Sequence, residues 1–323
     1  MSNKKLKWCV VGVVVAFFSC SIKKMAAGTT AEIIKDSSAL IEKYDDPYIV
    51  RDALPSNILL IEGLLSYNPN DRDLLVILAQ SYCSYAFAFV EDEDIQRASK
   101  LYLKGIKFAE RALMLNEDFA ELSAENFEDA VATLTEEDIP SAFWFGTCMG
   151  YWINADKRDL VRIAEAYKVR AIFEWLATVN PGFYFGGPNL FLGSYYSSIP
   201  SLMGGGPEKG YKYFKMIFDD EKNKNFLLAK VIFAQYFVTL KYGEGCARYY
   251  EEYYGVPATS EITITQEELA DLQICEGLFK KILNEVLESD TEKISEELPG
   301  SNLANELAKI KAKKLLEKIG DYF

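Results

Sequence analysis

The segment NPNDRDLLVILAQSY, residues 68–82, decides the fold. Its Asn-Pro-Asn-Asp turn ends one helix, and Asp71 suits the N-cap of the next, because its carboxylate accepts hydrogen bonds from the free amides of the first turn. Leu75, Leu78 and Tyr82 then follow at the spacing that places apolar side chains on one face of a helix. The segment therefore predicts a junction between two packed helices.

The same pattern of helix pairs recurs along the chain. In a tetratricopeptide (TPR) repeat, a first helix of the form W-x2-L-G-x2-Y packs against a second helix of the form A-x3-F-x2-A. Small residues let the helices approach, and the aromatic residue fills the space between them. The first-helix pattern matches at three places, which are Leu75 to Tyr82, Leu192 to Tyr196 and Phe233 to Phe237. The second-helix pattern matches at four places, which are Asn57 to Pro69, Gly105 to Ala112, Val169 to Pro181 and Gly210 to Ile217. The sequence predicts an all-α protein, an irregular TPR helix-pair array of about four TPR-like units with extra capping helices.

One of these pairs is longer than a regular repeat. Tyr82 and Gly105 are 23 residues apart, about 14 more than the regular pattern has. Shared between two antiparallel helices, the extra residues lengthen each by about two turns, or roughly 10 Å. The acidic run Glu91–Asp94 is then expected to form the solvated turn at the tip of the pair.

No composition shift divides the body of the chain. Turns that contain Pro and Gly separate the helical stretches, but none is long enough to be a flexible linker. The one alternating stretch, Glu261–Thr265, predicts only a short extended piece. We expect residues 31–323 to form a single α-helical domain.

The N-terminus predicts a secretory signal. Three lysines precede an apolar run of 11 residues, Trp8–Phe18, which is too short for the roughly 20 residues of a membrane-spanning helix. Cys20 follows a small residue, as in a bacterial lipobox, where the cysteine is acylated. We expect residues 1–19 to be removed, Cys20 to be the lipid attachment site and residues 20–30 to form a flexible tether. The alternative is a secreted protein that is cleaved elsewhere.

Composition excludes several kinds of chemistry. The chain has no His, which removes Ser-His-Asp and Cys-His catalytic arrangements and a common metal ligand. Its net charge is −13, and loss of residues 1–19, with three lysines and no acid, would make it −16. Such a chain is not expected to bind nucleic acid, and an anionic bilayer would repel it. A lipid would then be what holds it at the membrane.

The cysteines show no metal-binding or redox spacing. Cys83, Cys148, Cys246 and Cys275 lie far apart in the sequence, without a C-x-x-C motif. We interpret all four as structural residues, because a free cysteine packs as a small apolar side chain. A disulfide in an oxidising compartment is the alternative.

Candidate catalytic motifs are incomplete. The glycine cluster Gly204–Gly210 lacks the Lys and Ser/Thr that contact phosphate and magnesium in a phosphate-binding loop. The acidic run Glu136–Asp138 suits a helix N-terminus better than the two facing carboxylates of a glycosidase. We therefore predict a protein that is not an enzyme and has no cofactor and no metal site. A hydrolase that uses only carboxylates is the alternative.

Aromatic residues are the remaining signal. Most are expected in the core, because packed helix pairs bury aromatic side chains. Others are candidates to line a groove or pore for an apolar ligand or for a helix of a partner, especially beside the glycine turn at Gly186. The candidates are Trp144, Tyr151, Trp152, Tyr184, Phe185, Tyr195 and Tyr196.

Four stretches resemble the TatT family of TPR proteins associated with tripartite ATP-independent periplasmic (TRAP) transporters. They are Asp138–Asn154, Asn180–Pro188, Leu192–Pro200 with the following Gly-Gly-Gly-Pro-Glu-Lys, and Leu303–Asn305. The resemblance implies a TPR fold, a periplasmic lipoprotein, self-association as a homotrimer and a complex with the substrate-binding P subunit of the transporter. It implies no catalytic residues.

The expected function follows from the signal, Cys20 and this resemblance. We expect a membrane-tethered binding protein that helps to pass a small ligand of hydrophobic character to or from the P subunit. Tethering would raise the effective concentration of a weak partner. The alternative is a TPR scaffold lipoprotein that organises envelope assembly.

Overall fold

The computed structural model describes residues 40–240 and 267–323 continuously, with Thr30, Ile33, Ile34, Ser37, Tyr249, Glu252 and Tyr253 besides. Its regular structure in these residues is helical, without a β-strand, which confirms the all-α prediction. The predicted signal, Cys20, nearly all of the tether and the stretch Glu261–Thr265 lie outside the described residues. The chain packs into two compact units, one containing Tyr48–Ala164 and the other Glu42–Pro47 and Glu165–Phe323. The single domain over residues 31–323 stays a prediction.

The first unit is built around two long neighbouring helices and a third helix that packs on both. α3 contacts α2 and α6, and α2 also contacts α6. The helices are α1 (Pro47–Leu65), α2 (Arg72–Tyr85), α3 (Ile95–Leu113), α4 (Glu117–Leu122), α5 (Phe127–Val131), α6 (Ile139–Asn154) and α7 (Leu160–Ala164). A π-helical turn, Ala86–Val90, continues α2, and a 3₁₀ turn, Glu136–Asp138, precedes α6.

The predicted helix starts and the predicted tip are confirmed in this unit. Asp71 Oδ1 accepts a hydrogen bond from the Leu74 amide at 3.1 Å, so it is the N-cap of α2. The chain turns at residues 91–94, and Asp94 caps α3 through the Arg97 amide at 2.9 Å. The acidic run is therefore the turn between two lengthened helices.

A glycine brings α3 close to its neighbours. A Cβ atom on Gly105 would lie 2.7 Å from Cys148 Sγ and 3.2 Å from the Ala79 carbonyl oxygen. An added side chain would force Cys148 or the helices to move, so the small residue of the repeat pattern sits at a close helix contact. Ala79 and Ala109 are fully buried at the same interface.

Residues 72–90 form an apolar helical segment that, by length and composition, would fit a membrane span. However, 61% of its most apolar window is buried inside the protein. Its contacts with α3 and α6 make it a core helix of the first unit.

The second unit is also a packed set of helices. α9 contacts α8 and α10, while α14 contacts α11 and α12. The helices are α8 (Ala166–Val179), α9 (Phe183–Ser198), α10 (Pro207–Phe218), α11 (Leu227–Tyr236), α12 (Glu267–Glu288), α13 (Thr291–Glu297) and α14 (Asn302–Glu317). Short 3₁₀ turns lie at Ser201–Met203, Val238–Leu240 and Ile319–Asp321.

Two glycines set the distance between α9 and α10. A Cβ atom on Gly193 would lie 2.9 Å from the Phe214 ring, and one on Gly210 would lie 2.0 Å from Ser197 Oγ. Phe214 is fully buried and fills the space that Gly193 leaves. These are the contacts that the repeat pattern predicts for this pair, whereas the complete TPR array stays a prediction.

The cysteines differ in their chemistry. Cys83 and Cys148 are free and fully buried, as the structural interpretation predicts. Burial raises the pKa of the Cys83 thiol well above its ordinary value, which keeps the thiol protonated and unreactive. Cys275 is disulfide-bonded. For this residue the structure therefore supports the alternative, a disulfide, while Cys246 lies outside the described residues.

Candidate functional site

The start of α9 is a left-handed turn made of two aromatic residues and a glycine. Tyr184, Phe185 and Gly186 have φ of 47°, 59° and 79° with ψ of 56°, 39° and 20°. Left-handed backbone costs a non-glycine residue about 1–2 kcal/mol. Such strain persists only where the surrounding structure enforces it, and it is concentrated at functional sites.

Packing of the Phe185 ring helps to hold this turn. The Phe185 ring stacks on the buried Phe226 ring with centroids 4.7 Å apart, and the Tyr184 and Phe185 rings are 5.5 Å apart. Both aromatic side chains of the turn remain partly exposed. The turn therefore presents two aromatic surfaces in a fixed geometry.

A tyrosine cluster lies further along α9. The Tyr195 ring meets Tyr196 edge-on at 5.2 Å, and the Tyr213 ring stacks on Tyr196 at 5.5 Å. The Tyr196 hydroxyl donates a hydrogen bond to Glu174 on α8, and Lys209 Nζ lies 3.5 Å from the Tyr196 ring centroid. Carboxylate and ammonium groups thus flank a stack of tyrosine rings.

The environment keeps these tyrosines protonated. Burial raises the pKa of Tyr196, and the hydrogen bond to Glu174 raises it further because deprotonation would place two negative charges together. Burial also raises the pKa of Tyr195, although the nearby Arg170 guanidinium opposes this effect. At neutral pH these hydroxyl groups are hydrogen-bond donors and not nucleophiles.

The other three candidate residues lie on α6 in the first unit. Trp144 is buried in the core, where the Phe143 ring meets it edge-on at 5.3 Å. Tyr151 is partly exposed and stacks on Phe87 at 4.7 Å. Trp152 is also partly exposed, and the Arg162 guanidinium lies 4.6 Å from its ring centroid.

Arg162 is a partner that the sequence analysis missed. Its Nη1 donates to the Trp152 carbonyl oxygen at 3.0 Å and to Ser99 Oγ at 2.9 Å, while its Nε donates to Asp159 Oδ2 at 3.2 Å. These bonds fix the guanidinium over the indole ring. The spacing of three residues between Asp159 and Arg162 was a local signal for their ion pair. The contact of Arg162 with the Trp152 ring is seen only in the tertiary structure.

The acidic run Glu136–Asp138 has a structural role, as predicted. Asp138 is almost fully buried and accepts hydrogen bonds from Arg72, from Asn116 Nδ2 at 2.9 Å and from the Thr135 amide at 3.0 Å. Burial alone would raise the pKa of Asp138, but the donors from Thr135, Asn116 and Arg72 outweigh it and hold the pKa below its ordinary value. The charge therefore anchors the start of α6.

Metal-ligating groups do not cluster in the part of the chain that the structure describes. No set of three or more Cys, Asp or Glu side chains there is placed to hold an ion. The candidate site of the second unit consists of the strained aromatic turn and the tyrosine cluster. In the first unit, taken by itself, Tyr151 and Trp152 are partly exposed aromatic residues.

Comparison with known sequences identifies the family of this chain. The profile of the TRAP transporter T-component family, TAtT, matches residues 43–248, which is well over half of the chain. The chain belongs to this family. The match confirms the family that the four sequence stretches resemble, and the T component contains all seven candidate aromatic residues within the matched range. The T component is thus an accessory component of a TRAP-type transporter.

This T component is also similar to an uncharacterized protein of Treponema pallidum (strain Nichols). The two are 24% identical over 237 residues, which cover 61% of this chain and 71% of the relative. The relative's name assigns it no activity, so it adds no functional residue to those described above.

Proposed function

We propose that this T component is a periplasmic, lipid-anchored accessory of a TRAP transporter that binds the substrate-binding P subunit. The family match carries the proposal. The signal-like N-terminus and Cys20 support lipid anchoring, and the disulfide at Cys275 suits an oxidising compartment such as the periplasm. Because the chain has no His, a role in binding fits better than His-dependent catalysis.

The proposal includes a small ligand of hydrophobic character. Aromatic faces held in a fixed geometry bind apolar groups with little loss of conformational entropy. Tyr184 and Phe185 have such a geometry, because the turn that carries them is held by stacking on Phe226. Tyr195 is partly exposed and would add a hydroxyl donor, whereas Tyr196 is buried and its hydroxyl already donates to Glu174. Tyr151 and Trp152 are candidates for apolar contacts in the first unit by itself.

Self-association as a homotrimer, with packing of the helix pairs as TPR-like units, completes the proposal. A lipid on Cys20 would confine the complex to the membrane, where the transporter's membrane subunits lie. Confinement raises the effective concentration of the P subunit without any additional contact.

Native mass spectrometry of the mature protein, with and without the P subunit of the transporter, tests this function. We expect a complex of defined stoichiometry, a trimeric T component and a co-purified small molecule that Phe185→Ala releases. The matched control is Phe143→Leu, which changes a core aromatic residue outside the turn. Absence of any complex at micromolar concentration would contradict the proposal and favour the envelope scaffold.

A further inference from the structure

An apolar tip follows α9 in the second unit. Leu202 and Met203 have relative exposures of 102% and 75%, which are the largest values of apolar side chains in their unit among the described residues. We call the 3₁₀ turn Ser201–Met203 the apolar finger. Burial of two adjacent, exposed apolar side chains against a partner would gain free energy, because it removes apolar surface from water.

The apolar finger is held in place by its own backbone. The Met203 amide donates to the Pro200 carbonyl oxygen at 2.8 Å, and the Gly206 amide donates to the Tyr196 carbonyl oxygen at 2.9 Å. Gly204 and Gly206 have φ of 84° and 110°, values that favour glycine. The finger is therefore a preorganised projection, and its docking would cost little ordering entropy.

Glycine is also required by space at the base of the finger. A Cβ atom on Gly205 would lie 2.3 Å from the Ile199 carbonyl oxygen, and one on Gly206 would lie 2.3 Å from Ser201 Oγ. The two ends of the loop therefore approach too closely to accept a side chain at either glycine. The hydrogen-bonded turn and its glycines therefore hold Leu202 and Met203 in an exposed position.

Two exposed lysines, Lys209 and Lys212, follow the finger in the first half of α10, beside one acidic residue, Glu208. The range Phe183–Phe218 has three lysines and one acidic residue, and Asp219, Asp220 and Glu221 follow it at the far end of α10. Lys209 Nζ donates to the Gly204 carbonyl oxygen at 3.2 Å, directly at the end of the finger. Lys212 is exposed one helical turn further, while Lys215 pairs with Asp219 at 3.0 Å.

Charge selects among the surfaces that would cover the finger. Salt screens charges beyond about 10 Å, so Lys209 and Lys212, and not the net charge of the chain, decide which charged surface fits the finger. A neutral bilayer would make no use of these lysines, and we take a protein surface over an anionic bilayer because the family is a component of a transporter. A protein socket with an apolar floor and a rim of Asp and Glu matches both the finger and its lysines.

We propose that the apolar finger is the docking element of this T component, inserting Leu202 and Met203 into an apolar socket rimmed by carboxylates on its protein partner. This inference rests on the proposed function, in which that partner is the P subunit. Lys209 and Lys212 face the rim and guide association, and the two apolar side chains provide most of the affinity.

Titration calorimetry of the full mature chain with the purified P subunit tests the proposal, with Cys20→Ser used to omit the lipid. We expect Leu202→Ser with Met203→Ser to weaken binding by at least about tenfold. Lys212→Gln is expected to weaken it a few-fold and to reduce its dependence on salt. The matched control changes Leu59 and Leu60 to Ser, an adjacent apolar pair on α1 with exposures of 68% and 55%, and should leave binding unchanged.

The outcomes separate the two proposals. If the wild-type chain does not bind the P subunit, the proposed function fails and this inference fails with it. If the wild-type chain binds and the Leu202/Met203 variant binds equally well, only the finger assignment is overturned. Two other results would overturn the finger assignment if the Leu202/Met203 variant still binds the P subunit. One is a changed oligomeric mass in light scattering, which would assign the finger to self-association. The other is reduced flotation with phosphatidylcholine–phosphatidylglycerol vesicles, which would assign it to the membrane. Circular dichroism of each variant confirms that it is folded.

Discussion

The close contact between α9 and α10 makes a sharp prediction for Gly210→Ala. The new Cβ atom would lie 2.0 Å from Ser197 Oγ and 2.9 Å from both the Gly193 carbonyl oxygen and the Ser197 amide nitrogen. Ser197 is fully buried, and its hydroxyl donates to the Gly193 carbonyl oxygen at 2.7 Å, so it has little room to move. The two helices must separate to admit one methyl group.

Two opposing effects set the magnitude. Alanine improves the intrinsic stability of a helix by about 1 kcal/mol relative to glycine. Overpacking a close interface costs about 1–3 kcal/mol, and three contacts under 3 Å place Gly210 at the upper end. We expect Gly210→Ala to lower the free energy of unfolding by about 1–2 kcal/mol.

Urea unfolding followed by far-UV circular dichroism measures this change. Gly277 on α12 is the matched control, because it lies in the same unit, in a helix and with no atom within 4 Å of an added Cβ. Gly277→Ala should raise the free energy of unfolding by about 0.5–1 kcal/mol. Adding Ser197→Ala to Gly210→Ala should recover part of the loss, since it removes the shortest of the three contacts.

The opposite signs make the reasoning refutable. If Gly210→Ala stabilises the protein as Gly277→Ala does, then α9 and α10 do not pack at the distance described. The helix pair would then lack the small-residue contact on which its repeat-like character depends.

Three further predictions concern buried polar groups and thiols. Asp138→Asn should lower the free energy of unfolding by about 2–3 kcal/mol at neutral pH. Because the folded-state pKa of Asp138 is lowered, the stability that this carboxylate contributes in the wild type is present above about pH 4 and is lost as the pH falls through the folded-state pKa. Urea unfolding at several pH values measures this dependence. Asn305→Ala should cost about 1–3 kcal/mol in the same unfolding assay, because buried Asn305 Oδ1 accepts from the Leu227 amide at 3.1 Å and caps α11. Cys83 and Cys148 should react with a maleimide only after unfolding, as read by mass spectrometry, since both are fully buried.

Local signals made the helices predictable from the sequence. Asp71 is followed by apolar residues at helical spacing, and both the cap and the periodicity act within a few residues. Gly105 and Gly210 were also recognisable as close-contact positions, because the repeat pattern requires a small residue there. Helix boundaries and pair contacts therefore followed from neighbours in the sequence.

The strained turn and the polar contacts were not predictable in this way. The Phe185 ring stacks on Phe226, and the Tyr196 hydroxyl bonds to Glu174, so each feature depends on residues distant in the sequence. Gly186 was a visible turn signal, but nothing local indicates left-handed backbone at two aromatic residues. The sequence shows which aromatic residues are close together along the chain. Only the folded structure shows which charged side chains contact their rings and hydroxyl groups.

The position of the apolar finger depends on the same helix contact that Gly210→Ala disturbs. The Gly206 amide bonds to the Tyr196 carbonyl oxygen on α9, and Gly206 is also the residue that precedes α10. Moving α10 away from α9 must therefore stretch the base of the finger and change where Leu202 and Met203 point. We expect Gly210→Ala to weaken binding of the P subunit about tenfold even where the variant is fully folded.

Asn305→Ala separates this effect from a general loss of stability. It should cost a similar free energy in the same unit, but its contacts are with Leu227 and Ser301, away from the finger. Calorimetry in the absence of urea should therefore show normal binding for Asn305→Ala and weak binding for Gly210→Ala. Equal losses in both variants would mean that stability alone controls binding, and that the α9–α10 contact does not position the finger.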